Sequence, residues 1–104
     1  IIRNLVIRDE SITTESLTEL RSQIDKLDDQ LLELLSRRMR VSRDIGQYKK
    51  EHNMTVFQAN RYSEILDKRG AQGALLGMSP EFIAQVFEHV HEESVRQQVE
   101  IINH

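Results

Sequence analysis

Residues 17–50 read LTELRSQIDKLDDQLLELLSRRMRVSRDIGQYKK, with apolar side chains at Leu17, Leu20, Ile24, Leu27, Leu31, Leu34, Val41, Ile45 and Tyr48. The steps alternate between three and four residues, which predicts one long helix with a single apolar seam. The one position the series skips, four residues after Leu34 and three before Val41, holds Arg38. Burying an unpaired charge costs on the order of several kcal/mol. A guanidinium on a packing seam therefore implies an anionic partner, from protein or ligand, and makes Arg38 the first site candidate.

The sequence around this stretch bounds the helix. Ser16-Leu17-Thr18-Glu19 fits a capping box, so the first helix is expected to start at Ser16. Continued to about Lys50 it has roughly 33 residues and a length of about 50 Å. The short remainder of the chain is too small to cover such a helix, so a second chain is the expected cover. A break at residues 51–55 contains Asn53, and a second helix is predicted from about residue 58 to residue 69. Gly70, Gly73 and Gly77 then read as a connector. Ser79-Pro80-Glu81 combines a cap, a proline at the first helical position and an acid in the first turn, and opens a third helix to about residue 102. The fold class is thus all-α, with three helices and a very long first one. Residues 1–16 differ in character: Ile1, Ile2, Val6 and Ile7 precede a polar Ser/Thr stretch, which predicts a short extended arm or linker before a domain at residues 17–104.

Composition narrows the function classes. At 104 residues, 30% charged, 38% hydrophobic and net charge −3, the chain is one small domain with no electrostatic case for nucleic acid. So small a core is hard to stabilise with one layer of helices, and oligomerisation is a natural remedy. The absence of cysteine excludes disulfide and thiolate chemistry and is compatible with the reducing cytoplasm. No apolar run suits a membrane span or a signal-peptide core. The Ile1-Ile2 start without methionine suggests a processed protein or a domain cut from a longer one.

The third helix carries the second interruption of a stripe. Its core face reads Ile83, Phe87, Val90, Ser94, Gln98 and Ile101, so two uncharged polar groups lie one turn apart on an apolar face. They either bond across to another helix or serve a ligand. Lys49 follows Arg38 by eleven residues, which returns it to nearly the same face about 16 Å further along. Arg38, Lys49, Ser94 and Gln98 together could line a cationic, donor-rich pocket inside a helical bundle, suited to a small dianion. Other patterns carry less. Arg37, Arg40 and Asp44 share a face that reads as a solvated ion-pair surface. His89 and Glu93 have the spacing of a metal pair, with His91 nearby, but no third ligand is recognisable, so no metal is expected. There is no nucleophile elbow or Ser/His/Asp pattern.

In these pieces the chain resembles the all-helical class of chorismate mutase over residues 17–103. The matching segments are Leu20-Arg21-Ser22-Gln23-Ile24-Asp25, residues 31–38, Ile45-Gly46-Gln47-Tyr48-Lys49, Arg61, and Glu93-Ser94-Val95 with Gln98. It is the ordered set, at matching spacing, that is specific. The resemblance implies an interlocked homodimer with two active sites, each borrowing an arginine from the other chain. It also implies conversion of chorismate to prephenate without a cofactor.

Carried over by residue, Arg21 resembles the borrowed arginine and Arg38 its same-chain counterpart, each on a substrate carboxylate. Lys49 and Gln98 resemble the pair on the ether oxygen, Ser94 and Arg61 supporting polar groups, and Gln58 a position whose backbone amide helps bind. Tyr62 departs from the family's glutamate that contacts the ring hydroxyl. Domains of this class also occur fused to DAHP synthase or to prephenate-processing enzymes, and residues 1–16 resemble such a fusion linker. Spacing argues for the shared site on its own: Arg21 and Arg38 lie seventeen residues apart, about 25 Å along a helix, too far to grip one small ligand. Two other readings stand beside the mutase. One is an isochorismate-pyruvate lyase, and the other a catalytically weak dimerisation or regulatory module of a fused enzyme that binds prephenate or chorismate.

Overall fold

The computed structural model describes residues 10–56 and 59–103. Within them the chain forms three helices, α1 at Glu10–Glu51, α2 at Ala59–Leu75 and α3 at Pro80–Ile102, and no strand. The all-α expectation holds. Two boundaries differ from it. α1 starts at Glu10, so Ser16 and Glu19 lie inside a helix and do not cap it. No glycine or proline stands between residues 10 and 16. Ser and Thr disfavour a helix interior by only about half a kcal/mol each, too little to stop a helix that gains one bond per added residue. The extended arm expected at the start of the chain lies, for residues 1–9, outside the described residues.

α2 also runs past its expected end, through Gly70 and Gly73 to Leu75. Only Gly77 belongs to the turn, at φ 86°, where Gly77 N–H donates to Ala74 O at 3.1 Å and Met78 N–H to Gly73 O at 2.9 Å. That pair of bonds closes a helix end around a left-handed residue. Asn53 ends α1 in the same way at φ 54°, with Met54 N–H on Lys49 O at 2.9 Å. α3 begins as read: the Ser79 hydroxyl accepts from Phe82 N–H at 3.2 Å and Pro80 opens the helix.

The chain divides into two compact units, Ile1–Ser36 and Arg37–His104. In the first, the apolar row of α1 is uncovered: Leu17 is 44% exposed and Leu20, Ile24, Leu27, Leu31 and Leu34 are each between 54% and 57% exposed. Covering the exposed half of one such side chain is worth about 1 kcal/mol. The row therefore amounts to several kcal/mol, a large share of a domain's net stability of about 5–15 kcal/mol.

In the second unit the last four turns of α1 bond to α3, and α3 packs with α2. Glycines set the closest approaches. A β-carbon on Gly73 would run into Ile83 of α3, and one on Gly46 of α1 would sit 3.0 Å from the Gln98 Cα. Besides these glycines, the buried residues among those described are Ile83, Ser42, Ser94 and Gln98. Three of the four are polar, and a polar interior in so small a unit signals a site rather than packing alone. Among the described residues, no helix is long and apolar enough to cross a membrane.

Candidate active site

Each helix of the second unit contributes a stripe to one cleft of about 440 Å³, within the usual range for small-molecule sites. From α1 come Arg38, Ser42, Ile45 and Lys49, steps of four, three and four that keep all of them on one face. From α2 come Arg61, Ile65 and Arg69, and from α3 His91, Ser94, Val95 and Gln98. The cleft is walled by aliphatic side chains, and its polar groups converge from all three helices.

Those polar groups are tied to one another across helices. Arg38 Nη1 donates to Ser94 Oγ at 2.7 Å. Lys49 Nζ donates to Gln98 Oε1 at 2.9 Å and to Val56 O at 2.7 Å. Gln98 Nε2 donates to Ser42 Oγ at 3.3 Å, and Ser42 Oγ donates onward to Ser94 O at 3.4 Å. The two polar residues on the α3 stripe thus bond across to α1, and their partners there include Arg38 and Lys49, the two cations that α1 contributes to the cleft. Among the described residues the bond from Arg38 goes to a hydroxyl, and no carboxylate is paired with it. The anion that its place on the seam calls for is thus not found among the described residues.

Electrostatics point the same way. Burial lowers the Arg38 pKa, and Arg69 and Arg61 lower it further by repulsion. Burial also lowers that of Lys49. His91 is pushed below the ordinary histidine value, first by burial and then by Arg38 and Lys49, against a smaller opposing pull from Glu92. Among the described residues four cations, Arg38, Lys49, Arg61 and Arg69, line the cleft, and no acidic residue does. Arg61 is bridged to Glu64 at 2.8 Å on the exposed side. A dianionic ligand relieves the repulsion among the cations and gains charge-assisted bonds.

Of the residues singled out in the sequence, Arg38, Lys49, Arg61, Ser94 and Gln98 meet in this cleft. Tyr62 does not line it; its ring packs at 4.3 Å against that of His91, which does. Arg21 is exposed on α1 in the first unit. Gln58 lies outside the described residues. His89 lies within hydrogen-bond distance of Glu92 at 3.1 Å and Glu93 pairs with Arg96 at 2.7 Å, so the two members of the metal-like pair face separate partners. Sequence reasoning missed Ser42, Arg69 and the lining role of His91. Ser42 was findable, since it stands four residues after Arg38 and seven before Lys49 on their face. Arg69 stands eight after Arg61, but it was placed at a helix end that the structure moves to Leu75.

Comparison with known proteins gives a consistent set of likenesses. The family model described as chorismate mutase type II matches residues 20–99. The T-protein of Enterobacter agglomerans is 33% identical over 78 residues, covering 75% of this chain and 21% of that protein. The bifunctional chorismate mutase/prephenate dehydratase of Aquifex aeolicus is 37% identical over 54 residues, 52% of this chain and 15% of that protein. The 4-amino-4-deoxychorismate mutase of Streptomyces venezuelae is 29% identical over 80 residues, 77% of this chain and 78% of that protein. The chain spans about a fifth of the length of the T-proteins it matches.

Proposed function

The chain belongs to the chorismate mutase type II family, and on that premise we propose that its cleft rearranges chorismate to prephenate, on the route to phenylalanine and tyrosine. The reaction is unimolecular. The ether C–O bond breaks as a C–C bond forms in the same molecule, the electrons move around one six-membered ring, and no proton or co-reactant is exchanged. Catalysis then rests on holding the substrate in its reactive shape and on placing donors where negative charge develops. Arg38 clamps one carboxylate, and Arg21 from a second copy of the chain clamps the other. Lys49 and Gln98 donate to the ether oxygen, whose negative charge grows as its bond breaks. Ser94 holds the Arg38 guanidinium, and Arg61 and Gln58 assist binding.

The observation that carries this reading is the pair Lys49 Nζ and Gln98 Oε1 at 2.9 Å on the wall of a cleft whose described charged residues are all cations. The lysine takes the amide oxygen, which turns the amide NH₂ out as a donor. In a chorismate-depletion assay the wild type should turn over substrate, and Gln98→Ala should lose about 100- to 1000-fold in kcat/KM, the usual cost of one such donor. A wild type that binds chorismate or prephenate without turnover would favour a regulatory module of a longer, bifunctional protein. DAHP synthase and prephenate-processing enzymes are the partners proposed for such a protein, and the cytoplasm its location.

The likeness to 4-amino-4-deoxychorismate mutases raises a second substrate. The lining favours chorismate, because a ring ammonium would meet four cations and no carboxylate among the lining residues, at a cost that repulsion in a desolvated site makes large. Parallel assays with 4-amino-4-deoxychorismate and isochorismate separate the three chemistries; a higher kcat/KM on either would displace chorismate as the substrate.

A further inference from the structure

Ser42 is 5% exposed, carries no charge and has no role in the proposed chemistry, yet it stands between the two α3 residues that do. Its hydroxyl has one hydrogen and two lone pairs. The hydrogen is directed at the Ser94 carbonyl at 3.4 Å, so a lone pair faces Gln98 Nε2 at 3.3 Å. On the other side of the same amide, Lys49 can only donate, and Oε1 faces it at 2.9 Å. An amide turned by half a rotation would set its NH₂ against an ammonium, a repulsive contact, and its oxygen could take the Ser42 hydrogen only if the hydroxyl gave up its bond to the Ser94 carbonyl.

Gly46 closes the remaining side, since its missing β-carbon leaves the Gln98 Cα and Cβ in contact with α1. The bonds to Ser42 are long, so their effect is on the orientation of the amide more than on the stability of the fold. We infer that Ser42 is a positioning residue, which with Lys49 fixes the Gln98 amide with one Nε2 hydrogen on Ser42 and the other presented to the ligand.

The inference rests on Gln98 acting as donor in the proposed reaction, and two measurements separate the fates of the two ideas. The first is a kinetic cycle on chorismate with Ser42→Ala, Gln98→Ala and the double variant. Ser42→Ala should lower kcat by about 3- to 10-fold, the scale of one neutral hydrogen bond, with KM little changed. In the Gln98→Ala background the same substitution should have no further effect. An equal loss in both backgrounds, or a loss in KM alone, would overturn the positioning role. The second is the NMR signal of the Gln98 side-chain NH₂ in the ligand-free protein. In the wild type its two hydrogens should be distinct and slow to exchange with water, and Ser42→Ala should speed that exchange. Unchanged exchange in a folded Ser42→Ala protein would refute the lock even if chorismate proves not to be the substrate.

Discussion

Gln98 is 7% exposed, with its amide oxygen bonded to Lys49 and its nitrogen to Ser42, so a one-atom change tests the polarity of the site. Gln98→Glu keeps the size but offers a hydrogen only when protonated. An ordinary glutamate titrates near pH 4.3; burial raises that value and the neighbouring Lys49 lowers it. Below this pKa the acid is neutral and donates. Above it a carboxylate faces the developing negative charge, so activity should rise as pH falls and at neutrality lie about 100- to 1000-fold below wild type. The wild type, whose proposed donors are guanidinium, ammonium and amide groups, should be comparatively flat from about pH 5 to 8. kcat/KM against pH for both proteins checks this, and an equal loss at every pH would remove Gln98 from the ether oxygen. Residues of this kind were legible because they break a pattern: Arg38 interrupts a leucine row, and Ser94 and Gln98 an apolar stripe. Ser42 breaks no pattern and was legible only through its spacing, four after Arg38 and seven before Lys49; its burial is set by α3 crossing at Gly46.

The number and order of the helices were legible because periodicity spans many residues, whereas their ends depend on small local energies that tertiary contacts outweigh. α2 illustrates this. Three glycines read as a connector, yet Gly73 is inside the helix because Ile83 of α3 packs against the space its side chain would fill. Gly70 is inside it too, with nothing within 4 Å of the position a β-carbon would take. Opposite effects of one substitution follow. Gly70→Ala should stabilise the protein by up to about 1 kcal/mol, the helix-propensity difference. Gly73→Ala should destabilise it by about 1–3 kcal/mol, because a methyl group forced against Ile83 must push α2 and α3 apart. Urea or thermal unfolding of the two variants measures both signs. Stabilisation by both would mean that α2 and α3 are not in close contact at Gly73.

At the scale of the whole molecule, the uncovered leucine row of the first unit and the placement of Arg21 outside the cleft lining raise one question, whether a second copy completes the structure. Association would cover apolar area worth several kcal/mol and would supply a second arginine for the dianion. Sedimentation should therefore find no folded monomer at micromolar concentration; a stable, active monomer would contradict both the dimer and the shared site. The most direct test of the account is complementation. Arg21→Ala and Arg38→Ala homodimers each have both sites damaged, but a mixed dimer concentrates both defects in one site and leaves the other intact. Random mixing makes half the dimers mixed, each with one working site of two, so co-refolding equal amounts should restore about a quarter of wild-type activity. The measurement is chorismate turnover of the co-refolded mixture against each parent alone, with heterodimers verified by mass. Recovery near a quarter, far above either parent, is the predicted result; no recovery with heterodimers present would contradict a site built from Arg38 of one chain and Arg21 of the other.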